Sequence, residues 1–208
     1  MFPYGQIIEA LCLVAALFFL RREKRALWQA FKIYLAFVLL LELLGAYLSH
    51  NKTPNGWLYS IALPIQTLFP GYVLYSFVNS GLLRRLFWMA AAAFGAIYLF
   101  GLWQSHFNYA FTSDLASSIF LMLTAGAFYY DLLQREETVQ LGRFAPYWLA
   151  TGILLFNCGS IVVGIFAQNM GSLYIGHVSV WGLLFTTLTL IMNVCWINAF
   201  RWHYRANT

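Results

Sequence analysis

The sequence predicts an all-α, polytopic membrane protein of seven transmembrane helices, with its N-terminus outside the cell membrane and its C-terminus in the cytoplasm. Three observations lead to this fold class. Hydrophobic residues make up 62% of the 208 positions and charged residues only 9%, whereas a soluble domain carries about 25% charged residues. The apolar residues form seven separate stretches. If successive stretches cross the membrane in alternate directions, eleven of the twelve Lys and Arg residues lie on the same side of it.

Each apolar stretch approaches the roughly 20 residues that a helix needs to cross the hydrocarbon core. Helix is the expected conformation, because a lipid-facing backbone must satisfy its own hydrogen bonds and the alternating polarity of a barrel is absent. The third stretch contains Pro64 and Pro70. The predicted spans are Tyr4–Leu20, Ala30–Ser49, Trp57–Val78, Leu82–Trp103, Asp114–Leu133, Ala145–Ala167 and Leu173–Phe200.

The charges around the first span identify it as a retained helix. No Lys or Arg precedes it, and four cations follow at Arg21, Arg22, Lys24 and Arg25. A secretory signal has the reverse order. The other connections agree, since alternate loops contain only Lys52. Under the positive-inside rule, this distribution predicts an N-out, C-in protein of the cell inner membrane. The remaining cations on the cytoplasmic side are Lys32, Arg84, Arg85, Arg135, Arg143, Arg201 and Arg205.

The connections leave no room for a soluble domain, so residues 1–208 are predicted to form a single transmembrane domain. Cys12, Cys158 and Cys195 all lie in apolar segments, and their odd number and burial favour packing over a disulfide framework. The net charge of +5 arises from basic residues scattered over short loops. Nucleic-acid binding is therefore not expected.

A faint internal repeat is a further hypothesis. The segment 55–59, Asn-Gly-Trp-Leu-Tyr, leads into the third span, and the segment 170–174, Met-Gly-Ser-Leu-Tyr, leads into the seventh. The same interval pairs Glu42 with Asn157 without a gap. Spans one to three and five to seven would then be parallel copies joined by the fourth, a 3+1+3 plan known from transporters. The alternative is a chance match in a chain rich in aromatic residues.

Polar residues within the spans predict a pocket in the outer half of the membrane. Ionisable groups there are costly and usually face the bundle interior or a cavity. Glu9, Glu42 and Gln66 lie at similar depths on the first three spans, and Pro64 would free a backbone carbonyl near them. These residues and Asn157 are the candidate ligand-binding set. The alternatives are a hydrated position for Glu9 and interhelical hydrogen bonding for Gln66 and Asn157.

Histidines suggest a second kind of site. His50, His106 and His177 map to the outer ends of spans two, four and seven, and Asp114 is available as a fourth group. Together they are the candidate metal or pH-sensing residues. The alternative is that they are ordinary interfacial histidines, because no two of them form a close-spaced ligand motif.

Several activities are disfavoured. The seventh span has no Lys for a retinal Schiff base, and no histidine lies at mid-membrane to bind haem. Phosphate-binding loops, nucleophile elbows and zinc-protease motifs are absent from the sequence. No cofactor is therefore expected, and an intramembrane enzyme is only the third hypothesis for function.

Two resemblances bear on the choice between the other hypotheses. The stretch Tyr147-Trp148-Leu149-Ala150-Thr151-Gly152-Ile153-Leu154-Leu155-Phe156, followed by His177 and Asn193, resembles uncharacterised bacterial seven-helix inner-membrane proteins and the sensor modules of histidine kinases. In topology alone the chain is similar to sugar transporters with a 3+1+3 plan. Their Pro-Gln signature is missing, because Ile65 separates Pro64 from Gln66.

The favoured function is a receptor-like sensing or accessory module that signals through a membrane or cytoplasmic protein partner. A small-solute transporter is the alternative. Transport requires a polar path to both faces, whereas the polar groups here concentrate in the outer half and the inner halves of spans one to three are apolar. Besides the lipid bilayer and the partner protein, an oligomer of this chain is an open option.

Overall fold

The computed structural model describes residues 4–106, 111–135, 140–166, 174–175 and 178–206. These residues form an all-α protein, as the sequence predicts. The helices are α1 (Tyr4–Phe19), α2 (Ala26–His50), α3 (Gly56–Tyr75), α4 (Gly81–Ser105), α5 (Phe111–Leu133), α6 (Ala145–Ile165) and α7 (Val180–Ala206). A 3₁₀ turn, Leu141–Arg143, precedes α6, and two short strands, Tyr174–Ile175 and Val178–Ser179, pair antiparallel before α7.

Five of these helices, α2, α4, α5, α6 and α7, are long and apolar enough to cross a membrane. The first helix has only 16 residues, and α3 contains Pro64 and Pro70 and lies outside this group. The structure therefore shows a helical protein of membrane type, while the seven spans and their orientation stay predictions.

The helix bounds differ from the predicted spans most at the start of α2 and at both ends of α7. The second helix begins at Ala26, and buried Trp28 lies in its first turn. In its second turn the Lys32 ammonium lies 3.4 Å from the Leu20 carbonyl oxygen. The seventh helix begins at Val180 and continues past Phe200 to Ala206. Long basic side chains allow such extensions, because their stems lie along apolar surface while their charges reach water.

Six of the helices pack in a closed ring. In chain order, α1 packs on α2 and α2 on α3; α3 then packs on α5, α5 on α6, α6 on α7 and α7 on α1. The fourth helix packs on the outside of this ring against α3 and α5. In both proposed repeat halves the middle helix contacts both of its neighbours. The repeat itself stays a prediction.

The connections predicted to be cytoplasmic meet at one end of the bundle. Glu23, between α1 and α2, pairs with His203 near the end of α7, and Arg135, after α5, donates to the Phe77 carbonyl oxygen between α3 and α4. Arg143, before α6, lies 5.8 Å from the ring centroid of Trp202 on α7. We call this end, which bears residues 20–25, 76–80, 134–135, 140–144 and 201–206, the basic end.

Candidate functional site

Glu42 on α2 points towards α3, where the Tyr59 hydroxyl donates a hydrogen bond to its Oε2 at 3.3 Å. Gly45, one turn further along α2, makes this approach possible, because a Cβ there would overlap the Tyr59 hydroxyl. The Asn55 amide also donates to the Gly45 carbonyl oxygen at 3.1 Å. The interior direction of Glu42 agrees with the sequence analysis. Its hydrogen-bond partner is Tyr59 and not Gln66, the candidate residue that lies at a similar depth on α3.

Glu9 on α1 faces the same region. Its Oε2 atom is buried and has no hydrogen-bond partner among the described residues. Glu42, Tyr34 and Tyr59 lie within range of direct electrostatic interaction with the Glu9 carboxylate. Two carboxylates that interact in a poorly hydrated interior disfavour each other's charge, and a proton or a cation bound near them lowers that repulsion. We call Glu9, Tyr34, Glu42 and Tyr59 the acid layer.

The two prolines of α3 add polar contacts to neighbouring helices. A proline lacks the N–H that would bond to the carbonyl four residues earlier, so Pro64 frees the Ser60 carbonyl and Pro70 frees the Gln66 carbonyl. The Tyr98 hydroxyl of α4 lies 3.1 Å from the former oxygen. The Tyr34 hydroxyl of α2 lies 3.5 Å from the latter. Gln66 thus contributes its backbone, while its side chain makes no hydrogen bond among the described residues.

The other candidate residues do not join the acid layer. Asn157 is buried and donates to the Ile153 carbonyl oxygen of its own helix at 2.7 Å. His50 and His106 are exposed at the ends of α2 and α4, and Asp114 is half-buried in the first turn of α5. His177 lies outside the described residues. Within the part of the chain that the structure describes, no three His, Cys, Asp or Glu side chains are arranged to hold a metal ion.

A block of aromatic rings fills the bundle between the acid layer and the basic end. Phe31 is its centre: its ring centroid lies 5.6 Å from that of Phe69, 5.2 Å from Trp196 and 5.3 Å from Phe200. Phe31 and Phe200 are fully buried, with 1% and 0% of their surface exposed. We call these four residues the aromatic block. It packs α2, α3 and α7 together through their rings. The Trp196 indole nitrogen is buried there and has no hydrogen-bond partner among the described residues.

On the other side of the aromatic block, Glu23 and His203 form a polar contact that the sequence analysis did not anticipate. The His203 Nε2 lies 2.5 Å from Glu23 Oε2, and the imidazole stacks on Trp28 with the ring centroids 4.1 Å apart. Burial opposes the charge of Glu23, but the Arg25 N–H, the His203 ring and the Lys24 N–H together hold the pKa of this carboxyl below its ordinary value. The predicted seventh span ends at Phe200, whereas α7 continues to Ala206 and His203 is buried in its last turn.

A second polar contact, also missed, joins α5 to the turn before α4. Asp131 is 5% exposed, and its carboxylate accepts hydrogen bonds from the backbone N–H groups of Asn79 and Ser80, with 2.9 Å for the latter. Arg135 binds the same carboxylate at 2.9 Å and the Phe77 carbonyl oxygen at 2.6 Å. A carboxylate one turn before an arginine, at the end of an apolar run, was the available sequence signal.

No family model, curated protein or solved structure matches this chain. The resemblances to sensor modules and to 3+1+3 transporters therefore stay predictions from the sequence.

Proposed function

We propose that this protein is a membrane sensing module that responds to a proton or a small cation at the acid layer and passes the response to a protein partner at the basic end. With the N-out, C-in orientation that the loop charges favour, the acid layer lies nearer to the outside than to the cytoplasm. The basic end then faces the cytoplasm, where a membrane or cytoplasmic partner reads it.

The aromatic block is the observation that carries this proposal. A transporter needs a polar path that reaches both faces, and in this chain close-packed rings around Phe31 separate the acid layer from Glu23 and His203. A packed interior of this kind transmits small displacements between its ends, because it has little free volume in which to absorb them. The arrangement therefore favours the transfer of a conformational change over the passage of a solute.

The chemistry of the acid layer defines what it would sense. Glu9 and Glu42 come from different helices, and Tyr59 is bound to only one of them. A proton or a cation between the carboxylates removes their repulsion and draws α1 towards α2, whereas its loss pushes the two helices apart. The second helix also carries Phe31 and Trp28, so a shift of α2 reaches the basic end directly.

The test uses the protein in sealed vesicles in a Cys158→Ser background, because Cys158 is exposed. A fluorophore is attached to a cysteine introduced at exposed Lys24 of the basic end. Acidification on the opposite side should change the emission of the wild type. Glu42→Gln should abolish that change, because the variant keeps the shape of the side chain but not its charge. Ser49→Ala, on the exposed outer turn of the same helix, is the control and should respond like the wild type.

Proton or cation flux is measured in the same vesicles. Flux no greater than that of empty vesicles, together with the emission change, supports sensing. A flux that depends on Glu42 would instead establish transport, and an emission change that survives Glu42→Gln would remove the acid layer from the mechanism.

A further inference from the structure

Three arginines surround one tryptophan at the basic end. The guanidinium carbons of Arg143, Arg201 and Arg205 lie 5.8, 6.0 and 5.1 Å from the centroid of the Trp202 ring. Arg143 comes from the 3₁₀ turn before α6, and the other two come from the last turns of α7. Two separate segments therefore bring their positive charges to one place.

Among the residues that the structure describes, no carboxylate forms an ion pair with these arginines. Within residues 4–106, 111–135, 140–166 and 178–206, the ion pairs are Arg135 with Asp131 and His203 with Glu23. None of the three arginines takes part in one. Arg201 and Arg205 are also four residues apart on the same helix, a spacing at which like charges destabilise the helix. The ring of Trp202 offers each cation a favourable face, but it does not remove their mutual repulsion.

The local structure fixes this arrangement. The Arg143 N–H donates to the Gln140 carbonyl oxygen at 2.9 Å, and the Trp148 indole donates to the Gly142 carbonyl oxygen at 3.0 Å. The turn that bears Arg143 is thus tied to α6. The seventh helix packs along α6, so the position of Trp202 relative to the turn is set by the bundle. A binding site formed in this way is organised before its ligand arrives.

We propose that Arg143, Arg201 and Arg205 bind the phosphate of an anionic phospholipid headgroup in the leaflet at the basic end. Guanidinium groups bind phosphate oxygens through paired N–H donors, and a half-buried tryptophan is suited to the level of the headgroups. Basic pockets between helices at the cytoplasmic surface are the usual binding sites of such lipids. The phosphate balances the three positive charges, and the acyl chains lie along the apolar surface of α6 and α7.

The experiment measures bound lipid on the purified full chain. The protein is delipidated in detergent and titrated with phosphatidylglycerol or phosphatidylcholine, and occupancy is read by native mass spectrometry. The wild type should bind one phosphatidylglycerol in preference to phosphatidylcholine. Changing Arg143, Arg201 and Arg205 together to Gln should weaken that binding at least about tenfold, because the variant loses the charge-assisted hydrogen bonds of three guanidinium groups to the phosphate.

The matched control changes Arg21, Arg84 and Arg85 to Gln. These exposed arginines lie at the same end, and the control variant loses the same charge. Its affinity for phosphatidylglycerol should stay within about twofold of the wild type, since it keeps the bidentate donors around Trp202. An equal loss in both variants would show that the attraction is a general effect of surface charge and would overturn the site.

Two further measurements test the proposal independently of the Gln variant. A variant with Lys at the three positions keeps the charge but loses the paired donors; intermediate affinity supports the site even if the Gln variant fails to fold. Glycerol phosphate and inorganic phosphate are tested as soluble competitors. Displacement of the lipid at equal concentration by either one would show that the site takes a free phosphate and would refute a lipid headgroup, as would a wild type that does not distinguish the two lipids.

Discussion

Glu23 and His203 are 180 positions apart in the chain, yet His203 Nε2 lies 2.5 Å from Glu23 Oε2. The contact ties the turn after α1 to the last helix at the basic end. It lies beneath Trp28, which stacks on the imidazole and belongs to the buried core. The ring of helices is therefore held together by apolar packing inside and by ionisable pairs at the basic end, of which Glu23 and His203 join the first turn to the last helix.

The first prediction concerns the pH dependence of this pair. Glu23→Gln should lower the free energy of unfolding by about 1–2 kcal/mol at neutral pH, because a charged acceptor becomes neutral. The pKa of Glu23 is lower in the folded protein than its ordinary value of 4.5. Its ionised form thus stabilises the fold fully above pH 4.5, and this contribution is lost as the pH falls through the folded value.

Thermal unfolding in detergent across this range measures the effect. The gap between wild type and Glu23→Gln should be present at pH 5 and should close as the pH falls further through the folded pKa of Glu23. Lys24→Gln, a change at the adjacent exposed residue, is the control and should show no such closure. A gap that is unchanged at low pH would mean that the charge of Glu23 does not contribute.

The second prediction concerns the contact between α2 and α3 at the acid layer. Gly45→Ala should destabilise the protein by about 1–3 kcal/mol, because the new methyl overlaps the Tyr59 hydroxyl. It should also break the hydrogen bond from Tyr59 to Glu42. In a Tyr59→Phe background, where that hydroxyl is gone, the same change should cost less. A double-mutant cycle measured by unfolding gives the coupling, and additive effects would contradict the geometry.

The third prediction ranks glycines in the helices. A Cβ at Gly152 would lie 3.0 Å from the Cys195 Cβ and 3.1 Å from the Met192 carbonyl oxygen of α7, whereas nothing lies within 4 Å of one at Gly95 or Gly126. Gly152→Ala should therefore lower stability by about 1–3 kcal/mol through a wider spacing of α6 and α7.

Gly95→Ala and Gly126→Ala are the controls and should be neutral or stabilising by up to about 1 kcal/mol, as expected for alanine in a helix. Melting temperatures of the three variants decide the ranking. If all three variants behave alike, the close contact of α6 with α7 is not tight in solution.

The fourth prediction is the orientation. A cysteine at Thr53, exposed at the end opposite the basic end, should react with an impermeant thiol reagent applied outside intact cells, and one at Arg85 should not. The background carries Cys158→Ser, because Cys158 is exposed while Cys12 and Cys195 are buried. Reversed labelling would place the acid layer on the cytoplasmic side and would require a cytoplasmic signal.

The helical fold could be predicted because apolar composition and the length of each stretch leave few other conformations in lipid. The direction of Glu42 followed from the high cost of a carboxylate that faces acyl chains. Its partner did not follow, because the choice between Gln66 and Tyr59 depends on the rotation of α3 about its axis. One hydrophobic pattern is compatible with several such rotations, and packing against Gly45 selects among them.

The polar contacts of the basic end also could not be predicted from the sequence. Glu23 and His203 are paired only because α1 and α7 are neighbours in the ring, and nothing in the spacing of the spans specifies which helices meet. Asp131 was overlooked because it stands at the end of an apolar run, where an acidic residue is expected to contact water. Its two backbone donors come from a turn 51 and 52 positions earlier.

The arrangement of the helices in the ring also determines the order in which their contacts can form during synthesis at the ribosome. The groups of the acid layer come from α1, α2 and α3, so both carboxylates meet their neighbours as soon as the third helix has been inserted. The first helix, by contrast, cannot pack against α7 until the ribosome has synthesised that helix. Synthesis of the chain to this point takes about 10 to 40 s at about 5–20 residues per second. Its fully buried side chains within the helix are the small residues Cys12 and Ala16. A nascent chain can expose these side chains to lipid at little cost in free energy. The polar groups of the acid layer therefore come together early, and the apolar contact between α1 and α7 forms last.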